Sequence, residues 1–181
     1  MDGTVLWITG LPGSGKSTIT EAVRRRHPGF IILRMDDLRK VVTPRPSYAD
    51  AERDIVYRSL VYLAKILSSL GHDVIIDATG NLRQWRDLAR EQIPSFAEVF
   101  LTCSLDLCRK REAERTETHG APKDIYRKGR EGWPVPGVSV PYEEPLAPEI
   151  TIDTGTMPIE EGIALITAYL NQHASGNRRS G

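Results

Sequence analysis

The octapeptide Gly10-Leu11-Pro12-Gly13-Ser14-Gly15-Lys16-Ser17 constrains this chain more than any other feature. It matches GxxxxGK[ST] and lies where that pattern has physical meaning, after the apolar run Thr4-Val5-Leu6-Trp7-Ile8-Thr9 and before a helix expected to begin near Lys16. Glycines let backbone N–H groups turn inward around phosphate oxygens, and the helix N-terminus adds the positive end of its dipole. The loop Gly10, Leu11, Pro12, Gly13, Ser14, Gly15, Lys16, Ser17, Thr18 is therefore the expected nucleotide cradle. Lys16 is expected on the β- and γ-phosphates and the Ser17 hydroxyl on Mg²⁺. A plain Gly/Ser turn before a helix is the competing reading, and it leaves the full motif in its full context a coincidence.

The rest of the chain repeats that strand-then-helix rhythm. Phe30–Leu33, Asp73–Asp77, Glu98–Cys103 and Glu149–Asp153 are short, nearly all apolar and bounded by turns or helices, as expected of strands covered on both faces. Val56, Leu60, Leu63, Leu67 and Leu70 form one helical stripe ended by Gly71, and Ile159, Ile163, Ile166 and Leu170 form another. The expected fold is α/β, a P-loop NTPase with a mainly parallel five-stranded sheet flanked by helices and its ligand site at the carboxyl ends of the strands. Thr43-Pro44-Arg45-Pro46-Ser47 reads as a rigid loop between two helices. Residues from about 116 to 148 hold half of the prolines without a sustained period, which predicts a lid. One domain is expected over 1–173, followed by a disordered tail over 174–181.

Composition narrows the function. Lys+Arg and Asp+Glu both number 24, so the formal net charge is zero. A nonspecific nucleic-acid binder or a membrane-surface protein shows a global basic excess, and neither class fits. The balance is nevertheless partitioned: residues 109–130 carry eight basic against four acidic side chains, and residues 131–181 carry two against seven. Cys103 and Cys108 follow no metal-ligand spacing and read as thiols in a reducing compartment. With no span-length apolar run and no basic, apolar leader at Met1-Asp2-Gly3-Thr4, the expected location is the cytoplasm.

Two carboxylates stand at strand ends. Asp36, in Met35-Asp36-Asp37-Leu38-Arg39, is placed to accept the proton of an attacking hydroxyl or to hold water on Mg²⁺, with a helix N-cap as the competing role. Asp77 closes its strand and suits an outer-sphere Mg²⁺ ligand as well as a cap or turn. Candidate anion binders are Arg39, Arg53, Arg58, Arg83, Arg86 and Arg90, then the lid group Arg109, Arg111, Lys123, Arg127, Lys128 and Arg130. Arg83, Arg86 and Arg90 share one helical face, which is usually only solvated. The four histidines have no metal spacing; Trp7 reads as core, and Trp133 in the lid suits stacking on a base. The length and the lid favour a small-molecule kinase, and the absence of Asn-Lys-x-Asp favours ATP as donor.

From about Thr4 to Thr154 the chain resembles the adenylylsulfate kinases, which phosphorylate the 3′-hydroxyl of adenosine 5′-phosphosulfate. The likeness rests on Trp7–Thr18, on Lys123-Asp124-Ile125-Tyr126-Arg127-Lys128, and on Pro141–Thr154, similar to the family's PYExPxxPExxxDT. It implies Asp36 at the second Asp of the DGD motif, where Mg²⁺ handling and hydroxyl activation reside, with Arg39 after it. Arg53 and Arg58 resemble two arginines of the substrate-binding DRxxNIRR helix, and Arg83 and Arg86 fall where basic residues follow the SPY loop. Lys123 and Tyr126 match the lid's KGLY. Arg111, from the lid group, and Thr154, closing the PYE stretch, are assigned to the nucleotide side.

The chain also departs from the family pattern. Arg34 and Met35 replace the first Asp and the Gly of DGD, Val56 and Ser59 replace residues of DRxxNIRR, Gly80-Asn81-Leu82 stands for SPY, and Val135-Pro136-Gly137 for FTG. These losses fall on the acceptor side. Asp77-Ala78-Thr79-Gly80-Asn81-Leu82-Arg83 is in turn similar to the Asp-Ala-Thr-Asn loop of polynucleotide-kinase-like P-loop kinases.

The expected activity is ATP- and Mg²⁺-dependent phosphoryl transfer with adenosine 5′-phosphosulfate as the favoured acceptor. Another small hydroxyl metabolite, a polynucleotide 5′-hydroxyl, or a noncatalytic nucleotide sensor are the alternatives. The expected partners are small nucleotides, not membranes or nucleic acid, and a homodimer is left open.

Overall fold

Apolar runs and helical stretches alternate in the computed structural model, which describes residues 2–116 and 122–177. Among these residues five parallel strands form one sheet: β1 (Val5–Gly10), β2 (Ile31–Arg34), β3 (Val74–Asp77), β4 (Phe96–Thr102) and β5 (Ile150–Asp153), in the order β2-β3-β1-β4-β5. The helices are α1 (Lys16–Arg26), α2 (Met35–Val42), α3 (Asp50–Ser69), α4 (Arg83–Gln92), α5 (Leu105–Glu114), α6 (Ile125–Arg130) and α7 (Ile159–Asn177).

The strands are apolar on both faces because each face meets helices. Trp7, Val5, Val74 and Ile76 pack against Tyr57, Leu60, Ala64 and Trp85 of α3 and α4. Leu6, Ile8, Ile75 and Val99 pack against Ile19, Val23 and Ile166 of α1 and α7. Tyr57 stacks on Trp85 at 4.1 Å between ring centroids, and Trp7 donates its indole N–H to the Ala78 carbonyl at 2.9 Å. A separate small core of Cys108, Tyr126 and Val135, with Leu11 packed on it, joins the lid to the phosphate loop.

The α3 stripe is rotated from its expected place. Val56 and Leu60 are buried, but Leu63 and Leu70 are exposed, and Tyr57, Val61, Ala64 and Ser68 complete the inward face. Small side chains at Ala64 and Ser68 let the helix lie close to the sheet, and the Ser68 hydroxyl donates to the Gly3 carbonyl at 2.7 Å. At the other end, α7 continues through Asn177 where a tail was expected from residue 174; residues 178–181 lie outside the described residues, as do 117–121 of the expected lid.

Register decides what the carboxyl edge of the sheet presents. Arg34 pairs beside Asp77, Asp77 beside Ile8, and Ile8 beside Val99. The strand carrying the phosphate loop is thus central, and the ends of β2 and β3 are brought against it.

Candidate active site

The phosphate loop is shaped by two glycines with left-handed backbone. Gly13 has φ +79° and lies so close to α5 that a Cβ would come 2.3 Å from the Cys108 carbonyl oxygen; Gly15, with φ +97°, caps α1. Lys16 Nζ donates to the loop's own carbonyls, Gly10 at 3.1 Å and Leu11 at 3.0 Å. Ser17 Oγ donates to Asp77 Oδ2 at 2.9 Å, and the buried Ser14 hydroxyl has no hydrogen-bond partner among the described residues.

This loop forms one end of a cavity of about 620 Å³ at the carboxyl edge of the sheet. Lys16, Ser17, Asp36, Arg39, Arg53 and Trp133 are among the residues that line it. Burial raises the Asp36 carboxyl above its ordinary 3.8, and the charges of Arg39 and Lys16 oppose that rise. Burial lowers the Lys16 ammonium below its ordinary 10.5, with Asp77 and Asp36 opposing. Asp36 therefore feels two cations, one from the phosphate loop and one from its own helix.

Not every residue expected at the site is in it. Pro12, Gly13, Gly15, Lys16, Ser17 and Thr18 line the cavity, while Gly10, Leu11 and Ser14 stand behind it. Arg111 lines it and donates to the Thr154 hydroxyl at 3.2 Å and carbonyl at 2.7 Å; the Thr154 hydroxyl in turn donates to the Ser14 carbonyl at 2.8 Å. These two residues brace the loop. Arg39 bonds Glu52 at 3.1 Å and lies 5.0 Å from the Tyr48 ring centre, and Arg53 is held by the Asn81 side chain.

Arg58, Arg83 and Lys123 stand elsewhere. Arg58 lies five residues after Arg53, about 140° round the helix, and pairs with Asp54 at 2.8 Å on the exposed face. The Arg83 guanidinium donates to the Glu144 carbonyl at 3.2 Å outside the cavity, and Lys123 is exposed.

The shared face of Arg83, Arg86 and Arg90 is not the solvated one that helical spacing favours. Arg86 is 1% exposed, donates to Glu98 at 2.5 Å and to the carbonyls of Gly80 and Glu143, while Arg90 is held by Glu149. Its three arginines clamp the segment Pro141–Glu149 onto the sheet. Glu143 N–H completes the clamp by donating to the Asn81 carbonyl at 2.8 Å.

Arg34, Tyr48 and Arg115 line the cavity as well and are not among the expected site residues. Arg34 was visible as a strand-end residue two before Asp36, and Arg115 extends the basic run of α5 from Arg111 by one helical turn. Tyr48 carried no such signal. Its backbone has φ +59°, and its ring meets Trp133 at 5.1 Å between centroids, so the loop after α2 touches the segment expected as a lid, and both residues line the cavity. Trp133 itself lies on the cavity wall, as stacking on a base requires.

The donor set fits Mg²⁺ held together with a phosphate chain: a serine hydroxyl at the start of a helix, a carboxylate behind it, and an orphaned Ser14 hydroxyl inside the loop. Ser17 would hold the ion, with Asp77 and Asp36 reaching it through water. Taken together, the site can grip a triphosphate, present a second ligand to its far end, and remove a proton between the two.

Residues 2–153 match the family model for adenylylsulphate kinase. An adenylyl-sulfate kinase from Bacillus velezensis is 36% identical over 167 residues, covering 87% of this chain and 80% of that protein. The Mycobacterium tuberculosis APS kinase CysC, solved in complex with AMPPNP and APS, superposes with a TM-score of 0.80 at 29% identity, covering 94% of this chain and 98% of that one. A gluconokinase from Sinorhizobium meliloti shares the fold, with a TM-score of 0.66 at 22% identity over 99% of this chain and 98% of its own.

Proposed function

The chain belongs to the adenylylsulphate kinase family, and from that premise we infer that it is an ATP-dependent kinase transferring the γ-phosphoryl group to the 3′-hydroxyl of adenosine 5′-phosphosulfate. The observation that carries this reading is that Asp36 shares one cavity with Lys16 and Ser17 of the phosphate loop and with Arg39 and Arg53, and that the charges of Arg39 and Lys16 both act on it. A hydroxyl delivered by a ligand held among Arg39, Arg53 and Trp133 meets a carboxylate at the point where the phosphate chain ends.

The steps assigned to this chain's own groups follow from their contacts. Lys16 exchanges the Gly10 and Leu11 carbonyls for phosphate oxygens, and the inward N–H groups of the loop hold the chain of phosphates in line. Asp36 orients the attacking hydroxyl and takes its proton as the bond to phosphorus forms. Mg²⁺, when bound, supplies neutralisation of the charge between the phosphates. Arg111 and Thr154 keep the loop in shape, and the lid wall of Trp133, Pro134 and Val135 excludes water that would otherwise compete with the acceptor.

Lys16→Ala is expected to lower acceptor-dependent ADP release by at least about 100-fold. A near-normal rate would sink the assignment.

A second acceptor class keeps the same chemistry, and one observation favours weighing it. Arg53 is committed to Asn81 and lies 4.0 Å from Asp50, leaving less of its fork for a sulfate than a free guanidinium would offer. Under this reading ADP release follows another hydroxyl compound and stays silent with adenosine 5′-phosphosulfate. Among the described residues no helix is long and apolar enough to cross a membrane. A homodimer would find apolar surface on α3, where Ile55, Tyr62 and Ile66 are exposed, and a mass measurement in solution decides it.

A further inference from the structure

We propose that Arg34 is a positioning residue that occupies Asp77 and makes divalent-cation binding conditional on the nucleotide. The inference rests on the ATP- and Mg²⁺-dependent reading above and adds a role for a residue that the chemistry has not used.

Arg34 is the last residue of β2, and the register of the sheet sets it directly beside Asp77 at the end of β3. Its guanidinium bridges two carboxylates. One nitrogen bonds Glu21 of α1, and Nε stands 3.6 Å from Asp77 Oδ2, the same oxygen that accepts the Ser17 hydroxyl at 2.9 Å. The side chain is only 16% exposed, and Nε is buried with no hydrogen-bond partner among the described residues. A permanent cation is thus fixed where an incoming Mg²⁺ would otherwise find an open carboxylate.

The electrostatic consequence is direct. Asp36 and Asp77 both line the cavity beside Ser17, and two carboxylates with a hydroxyl would attract a divalent ion unaided. Arg34 and Lys16 oppose that attraction at short range, where charge interactions in a half-buried site are strong. With both carboxylates offset by Arg34 and Lys16, the negative charge that draws the cation comes from the phosphates, so the ion enters with ATP and leaves with ADP. Arg34 also fixes Asp77 in the orientation that receives the Ser17 hydroxyl, so the hydroxyl oxygen is presented with its lone pairs free for the ion.

The test is Mn²⁺ binding to nucleotide-free protein, followed by electron paramagnetic resonance, for wild type, Arg34→Met and Arg34→Lys. Removing the charge is expected to tighten Mn²⁺ binding by about tenfold or more, while the lysine variant stays near wild type. Adding AMPPNP is expected to bring tight Mn²⁺ binding to the wild type. Equal Mn²⁺ affinity of wild type and Arg34→Met without nucleotide would overturn the proposal. Arg34→Gln, which keeps a donor for Glu21 without the charge, repeats the comparison if the methionine variant does not fold, and equal binding there overturns it as well. No acceptor enters the assay, so its outcome is independent of which hydroxyl the enzyme phosphorylates.

Discussion

Asp36 is the carboxylate on which the proposed chemistry turns, because burial holds its proton affinity up while the charges of Arg39 and Lys16 pull it down. Asp36→Asn keeps the shape and removes the base, so the expected loss is in kcat, by about 10²–10⁴, with ATP affinity changed little. Single-turnover rates and nucleotide titration of the variant separate the two quantities, and an equal loss in both would return Asp36 to a structural role. The residues at this end of the cavity were legible in the sequence because backbone dictates them: a glycine-rich turn between strand and helix, and acids at strand ends. The arginines were less so. Arg53 and Arg58 read alike, yet one turns inward and the other pairs with Asp54 on the surface, a distinction set by the rotation of α3 on the sheet. Tyr48 and Trp133 meet only because a loop and the lid fold toward each other, and no local pattern encodes that contact.

At the scale of elements, the segment Pro141–Glu149 shows why a family-like motif need not touch a ligand. Tyr142 shares a hydrogen bond with the Thr9 hydroxyl at 2.9 Å, Glu143 receives the Arg83 N–H at 2.7 Å, and Glu149 receives the Glu98 N–H at 2.7 Å. The segment straps the lid to the β3–α4 loop and to the edge of β4. Burial pushes the Glu149 carboxyl up, but the Arg90 guanidinium and the Glu98 N–H outweigh it and hold the carboxyl below its ordinary 4.5. A carboxylate depressed in the folded state contributes stability above its unfolded value, and that contribution is lost as pH falls through the lower folded value. Glu149→Gln is therefore expected to cost about 1–2 kcal/mol at neutral pH, reduced by the partial exposure of Arg90. The gap from wild type should close as pH drops below 4.5, as read by denaturant unfolding at a series of pH values. The strap itself was legible as a similarity, whereas its bonding was not, since its partners lie between 51 and 133 residues away in sequence.

For the whole molecule, the alternation of apolar runs and helices was enough to anticipate a parallel sheet covered on both faces. Strand order was not: a strand apolar on both sides carries little register information, so the central place of β1 emerges only from packing. The zero net charge conceals a division that the fold uses. Arg111 and Arg115 of the basic segment line the cavity, while the acidic C-terminal part contributes Glu143 and Glu149 to the arginine clamp on the sheet. Polyanions are thereby drawn to one face of a neutral protein. What is phosphorylated at that face is decided by identifying the product. Purified protein with γ-labelled ATP, Mg²⁺ and adenosine 5′-phosphosulfate is expected to move the label onto the 3′ position of that acceptor, at a rate abolished by Lys16→Ala. Label that stays in ATP or appears only as inorganic phosphate with adenosine 5′-phosphosulfate, but moves onto a sugar or a polynucleotide 5′-hydroxyl offered in its place, would contradict that assignment.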